Sequence, residues 1–248
     1  MQSFPSLLLD LGNSRIKWRH SEQALSGIAY TVDELWQQCA SLSPVQHIVG
    51  CAVASPETQM QISQCFAKHW QASTRWLKVS RTALNIHNHY QNLREQGPDR
   101  WAAILGAQMH FPQQNILVIS AGTALVIDTL TADGDYLGGT IAPGLGLMKA
   151  ALHQATARLP FSQGQCVSFP QSTVDAIETG CIRAILGAIE QARAALATRG
   201  QSITQMLVFG GDAAALQALL NGQAVAVDNL VLDGLAALLA AGDGEFDL

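Results

Sequence analysis

The chain has 248 residues, 48% of them hydrophobic and 13% charged, with a formal net charge of −5. That length holds one large domain or two small ones around a real core. The acidic balance and scattered Lys and Arg exclude the basic surface that broad nucleic-acid binding needs, and no apolar run is long enough to span a membrane. So apolar a composition favours a buried subunit interface.

In chain order, Phe4 to Leu11 reads as a first strand rather than a signal peptide, so a cytoplasmic protein is expected. The strand runs into Asp10-Leu11-Gly12-Asn13-Ser14 and out through Arg15-Ile16-Lys17-Trp18, a hairpin with a glycine at its turn. Glycine permits positive φ and close approach of backbone N–H groups, and Asn or Ser adds donors for phosphate oxygens. Leu25 to Tyr30 supplies a third strand, and Thr31-Val32-Asp33-Glu34 has capping-box spacing for a helix through Ala40. A buried strand at His47 to Ala54, a helix opened by Ser55-Pro56-Glu57 and a strand at Thr74 to Val79 follow. Thr82 to Gly97 has no clear period and reads as a functional loop.

A helix opened by Pro98 or Asp99 runs to His110, and Phe111 to Asn115 is the expected boundary between domains 1–115 and 116–248. The second half restarts with strands at Ile116 to Ala121, Ala124 to Thr131 and Tyr136 to Ile141. Helices at Gly146 to Ala157 and Thr173 to Thr198 follow. A strand at Met206 to Phe209 and helices at Asp212 to Leu220 and Leu230 to Ala241 complete it. Its opening repeats the first pattern as Ser120-Ala121-Gly122-Thr123-Ala124. The five cysteines, with no CxxC pair, read as buried free thiols.

Two readings compete at each motif. Asp10 can orient a magnesium ion through water while Gly12, Asn13, Ser14 and Lys17 meet phosphates, or it can make an Asx turn beside a solvated Lys17. The second copy of the turn favours phosphate. At Gly97-Pro98-Asp99-Arg100, Asp99 can accept a proton from a substrate hydroxyl and Arg100 can fork onto a carboxylate. On spacing alone, Asp99 as a helix N-cap and Arg100 as an exposed first-turn residue is the better reading. Gly138 to Gly144 reads as a close-approach loop or a simple bulge and turn, and Gly210-Gly211-Asp212 as backbone that packs on an adenine or ribose or as a routine strand-to-helix turn capped by Asp212. His87-Asn88-His89 reads as two loop histidines. Two three-stranded openings, each with a turn suited to phosphate, match an α/β fold of duplicated ribonuclease H-like domains with mixed sheets, the organisation of actin-like ATPases and sugar kinases.

Together these segments resemble type III pantothenate kinases over essentially the whole chain. Asp10, Leu11, Gly12, Asn13, Ser14, Arg15, Ile16 and Lys17 match the family's first ATP segment, with Ser14 in place of threonine. Gly97, Pro98, Asp99 and Arg100 match its Gly-x-Asp-Arg motif, whose aspartate is the proton acceptor, and Tyr90 stands at the spacing of a pantothenate contact. Thr123 matches the second ATP segment. Thr173 resembles the pantothenate-binding threonine that the family contributes across a homodimer interface.

The resemblance implies phosphorylation of pantothenate by ATP with Mg2+, Asp10 holding the metal through water, in the first step of coenzyme A biosynthesis. It also implies a homodimer and a monovalent cation, K+ or NH4+. Ser120 stands where the family carries the aspartate that coordinates this cation, and a neutral hydroxyl is a weaker ligand. Two alternatives remain: another small-molecule kinase of this fold, and a nucleotide-binding regulatory or accessory protein.

Overall fold

The structure is a computed structural model that describes residues 5–156, 159–161 and 163–247. The chain divides into two compact units. One comprises Met1–Pro112, Gly134–Tyr136 and Asn229–Leu248, and the other Gln113–Asp133 and Leu137–Asp228.

The first unit opens with β1 (Ser6–Leu11), β2 (Ile16–His20), β3 (Ser26–Ala29), α1 (Val32–Cys39), β4 (His47–Ala52), α2 (Pro56–Trp70) and β5 (Ser73–Lys78). Then come the short strands β6 (Thr82–Ala83) and β7 (Ile86–Asn88), a 3₁₀ turn at Leu93–Glu95, and α3 (Pro98–His110). The second unit contains β8 (Ile116–Ala121), β9 (Ala124–Leu130), most of β10 (Asp135–Pro143), α4 (Leu145–Ala155), α5 (Thr173–Ala197), β11 (Gln205–Phe209), α6 (Ala213–Leu219) and β12 (Val225–Ala226). Finally α7 (Leu230–Ala241) and β13 (Glu245–Asp247) belong to the first unit.

Strand order in the first unit is β13-β5-β4-β1-β2-β3. The β1-β2-β3 meander is antiparallel, whereas β4 joins β1, and β5 joins β4, in parallel, so the sheet is mixed. Alternation along β1 sends Leu7, Leu9 and Leu11 into a core with Leu35, Ile62 and Phe66 of α1 and α2. Leu8 and Asp10 therefore share the opposite face. The second unit repeats the plan in the order β12-β11-β8-β9-β10. There β8 pairs antiparallel with β9 and parallel with β11.

Local sequence explains most boundaries. Thr31 Oγ1 accepts from the Glu34 N–H at 3.1 Å, while Glu34 Oε2 accepts from the Tyr30 N–H at 2.8 Å, so the capping residues start α1 as their spacing predicts. Ser55 caps α2 with Pro56 at its first position. The expected end of one helix at Ala157, and Phe4 at the start of the first strand, lie outside the described residues.

Four readings need correction. Thr82 to Gly97 is not an irregular loop. β6 and β7 form a hairpin, β7 pairs in parallel with Asp135 and Tyr136, and buried Asn88 donates to Gln96 Oε1 at 2.8 Å. The cysteines are not uniformly buried, since Cys166 is exposed and Cys65 half-buried. Asp212 makes no side-chain cap on α6. The units also follow the 1–115 and 116–248 split only in part. Residues 229–248 join the first unit because α7 is apolar nearly all round and packs on α3.

That packing rests on two glycines. A Cβ at Gly234 would lie 1.9 Å from the Ala102 carbonyl oxygen, and one at Gly106 would lie 2.3 Å from that of Leu230. The polar end of the contact is Asp233, which binds Arg19 Nη1 at 2.6 Å and His110 Nε2 at 2.8 Å. Gly234→Val should destabilise the protein by about 3 kcal/mol or more in urea denaturation. Gly187→Ala, in open space on α5, should leave stability unchanged or raise it by about 0.5–1 kcal/mol.

Candidate active site

Asp10 is the penultimate residue of β1, in the middle of its sheet. Register places Lys17 of β2 opposite it on one side and Cys51 of β4 on the other. Opposed residues on neighbouring strands point to the same face, so Lys17, Asp10 and Cys51 form a row. Cys51 Sγ donates to Asp10 Oδ1 at 3.6 Å. Burial raises the Asp10 carboxyl from 3.8 to about 6, with Lys17 opposing the rise and the negative charge of Asp99 adding to it. The same surroundings push the Cys51 thiol well above its usual range, chiefly through burial, so it stays protonated.

Beyond Asp10 the chain turns through Gly12, whose N–H donates to the Arg15 carbonyl at 3.1 Å, leaving Asn13 and Ser14 exposed at the tip. Gly12 does not use positive φ, and neither does Gly122 in the second copy. Gly12 instead leaves room for the Arg15 carbonyl, 3.3 Å from where a Cβ would stand. Lys17 is half-buried and not the solvated residue of an ordinary hairpin.

Asp99 belongs to the same unit. The N-cap of α3 is Gly97 and Pro98 is its first residue, so Asp99 lies one position inside the helix and does not cap it. Its Oδ1 accepts from the Arg100 N–H at 2.9 Å, folded back to within 2.4 Å of where a Cβ on Gly97 would stand. Only glycine at 97 accommodates that carboxylate position.

Arg100 is buried, not an exposed first-turn residue. Its Nη1 donates to the Tyr90 hydroxyl at 3.0 Å, and its guanidinium carbon lies 5.5 Å from the centre of that ring. Tyr90 is held in turn. Arg81 donates to the Asn88 and Tyr90 carbonyls at 2.7 and 2.8 Å, Asn88 Oδ1 accepts from the Tyr90 N–H at 3.0 Å, and the Tyr90 ring stacks on Tyr136. His89 Nε2 pairs with Asp135 at 2.7 Å.

The second unit frames its own turn with backbone. The Gly144 N–H donates to the Thr123 carbonyl at 2.9 Å and the Asp212 N–H to the Ala121 carbonyl at 3.0 Å. Cβ atoms on Gly144 and Gly210 would lie 1.9 and 2.2 Å from the Gly122 and Ala121 carbonyl oxygens, and Gly210 has φ +110. Both glycines are therefore obligatory for this approach. Thr123 is exposed at the tip, and Ser120 faces Val126 and Phe209 in register. Thr173 is exposed at the first turn of α5, which is capped by Ser172.

The first unit thus gathers Asp10, Lys17, Asp99, Arg100 and Tyr90. The second gathers Ser120, Thr123 and the glycine loops. Sequence reasoning passed over three residues that build the first group. Cys51 read as an ordinary buried thiol, Asn88 lay in the stretch without periodicity and Arg81 stood just before it; the pairing of β4 with β1 and the β6-β7 hairpin reveal all three.

The fold is that of actin-like ATPases and sugar kinases. Similar structures include a conserved Baf family protein from Campylobacter jejuni, with a TM-score of 0.65 and 22% identity over 95% of this chain and 98% of that one. MreB5 of Spiroplasma citri bound to ADP aligns over 97% of this chain and 98% of its own, with a TM-score of 0.52 and 9% identity. A family model described as type III pantothenate kinase matches residues 6–195. Type III pantothenate kinases from Chromobacterium violaceum and Laribacter hongkongensis are 37% and 36% identical, covering 92% and 94% of this chain and 97% of each relative. The chain belongs to the type III pantothenate kinase family.

Because folding raises the Asp10 pKa, the folded state is favoured below pH 3.8 and loses that advantage as pH rises through about 6. Asp10→Asn should therefore stabilise the ligand-free protein at pH 8, by on the order of 1–3 kcal/mol. The gain should shrink towards pH 4, as urea denaturation at the two pH values will measure.

Proposed function

We propose that the protein phosphorylates pantothenate with ATP, giving 4'-phosphopantothenate, the first step of coenzyme A biosynthesis. The observation that carries the reading is the meeting of Asp10 and Asp99 within one unit, with Arg100 and Tyr90 joined beside them. It lies inside the segment matched by the family model. The two duplicated actin-like halves are read as residues 1–115 and 116–248, with residues 229–248 returning to the first unit.

In this reading the backbone of Gly12 and Asn13, the side chains of Ser14 and Lys17, and Thr123 hold the phosphates of ATP. The flanking Leu11, Arg15 and Ile16 fix the first turn. Tyr90, Gly97, Pro98, Arg100 and Thr173 hold pantothenate, with Arg100 directed at its carboxylate. The primary hydroxyl oxygen attacks the γ-phosphorus, the bond to the bridging oxygen breaks, ADP leaves, and Asp99 takes the hydroxyl proton. A desolvated carboxylate with a second negative charge nearby suits a hard divalent cation. Magnesium at Asp10, through water, would offset phosphate charge. At Ser120 the fit is poorer, because its cross-strand neighbours Val126 and Phe209 are apolar, so no step is assigned to K+ or NH4+.

A homodimer is supported by the exposed apolar side chains of the second unit, among them Ile141 at 63%, Phe161 at 61% and Phe169 at 87% exposure. No helix among the described residues is long and apolar enough to cross a membrane, and the reaction's soluble substrates suit the cytoplasm.

Expression in a strain lacking pantothenate kinase should restore growth; soluble protein without rescue would count against the reading. In a coupled ADP assay Asp99→Asn should lower kcat by about 10²–10⁴-fold with nucleotide binding retained. Tyr90→Phe should mainly raise the pantothenate KM, by about three- to tenfold.

A further inference from the structure

We propose that Cys51 is a positioning residue for the phosphoryl-transfer site, its thiol holding the Asp10 carboxylate in the orientation that serves the cation-bearing nucleotide. The inference rests on the kinase reading above, and it goes beyond that reading by giving a function to a side chain that otherwise reads as core.

Geometry separates this thiol from the other cysteines. Cys39 lies among apolar side chains of the first core, whereas Cys51 is opposite Asp10 in the parallel β1-β4 register, on the face that Asp10 and Lys17 share. It has no exposed surface, and its Sγ is 3.6 Å from Asp10 Oδ1. A carboxylate on a central strand is braced from its two sides. Lys17 flanks it on β2 and supplies charge, but a lysine ammonium on a four-carbon stem constrains direction poorly. Cys51 flanks it on β4 with a short side chain fixed by full burial, and so constrains direction well. Lateral support of this kind keeps a functional carboxylate in one productive rotamer.

A packing role makes a different forecast. If Cys51 only fills space, then Cys51→Ala and Cys51→Val, which change the volume in opposite directions, should affect the protein differently, and Cys51→Ser, close to alanine in volume, should match Cys51→Ala. If it orients Asp10, both variants lacking a donor should share one defect and Cys51→Ser should lack it.

The decisive measurement is binding of manganese, as a spectroscopic substitute for magnesium, together with ADP, followed by electron paramagnetic resonance without turnover. Cys51→Ala and Cys51→Val should each bind the manganese–ADP pair about three- to tenfold more weakly, with a matching rise in half-saturating magnesium during turnover and a pantothenate KM within about twofold of wild type. Cys51→Ser should stay within about twofold on every measure. Near-native affinity in a folded Ala or Val variant, or a Ser variant as impaired as they are, would overturn the proposal. Should Cys51→Ala or Cys51→Val fail to fold, the other still contrasts with Cys51→Ser; should Cys51→Ser fail, an equal loss in the remaining two supports the proposal and near-native affinity in either overturns it. Failure of the wild-type protein to bind manganese–ADP would sink the kinase reading itself, a result distinct from a normal wild type with indifferent variants.

Discussion

The contact on which the first unit depends is the backbone approach of α3 and α7 at Gly106 and Gly234. Side-chain atoms at either position would overlap a carbonyl oxygen of the other helix, so the two axes can come this close only with glycine at both. The consequence reaches the chemistry because α3 begins with Pro98-Asp99-Arg100 and ends at His110, where Asp233 of α7 binds its imidazole. A helix fixed along its length and pinned at its far end delivers its first turn to a defined place. The Asp99 carboxylate inherits its position from a contact between helices, so α7 helps to place a group that stands beside Asp10 of the first strand.

At the other end of α3 two carboxylates, Asp10 and Asp99, interact unfavourably in the presence of Lys17. Burial raises the Asp10 pKa, and the negative charge of Asp99 adds to the rise against the opposing charge of Lys17. A fold selected for stability alone would replace one of the two carboxylates with an amide. Their retention is intelligible if the site is completed by something positive, since a cation then removes the same penalty that the empty arrangement bears. The linkage also couples ligand binding to stability: whatever neutralises Asp10 stabilises the fold that holds it.

Much of this was legible in the sequence. Capping residues at Thr31 and Ser55, the apolar alternation of β1 and β8, and the two glycine turns gave the elements and the duplication, because those signals are local. Long-range features were not legible. Buried Arg100 donates to the hydroxyl of Tyr90, ten residues earlier, whose backbone is held by Arg81 and Asn88. The β6-β7 hairpin is too short to have a period, and its stability comes from pairing with residues 135–136. The return of α7 to the first unit is invisible to a reading that assigns each half of the chain to one domain. At the candidate site, Asp10 and Asp99 were found by motif, whereas Cys51 could be found only from the register of β4 against β1.

The two turns differ in what their neighbouring strands supply. Asp10 and Ser120 occupy the same position, the penultimate residue of the first strand in each unit, with one antiparallel and one parallel neighbour. Around Asp10 those neighbours are Lys17 and Cys51, a cation and a donor; around Ser120 they are Val126 and Phe209, neither of which can orient or neutralise a charge. An aspartate at 120 would face apolar side chains with no partner of its own on either flank, so serine is consistent with its strand neighbours. The first unit keeps the charged chemistry of the turn, while the second keeps its glycine-framed backbone, where Gly144 and Gly210 approach carbonyls that no other residue would allow.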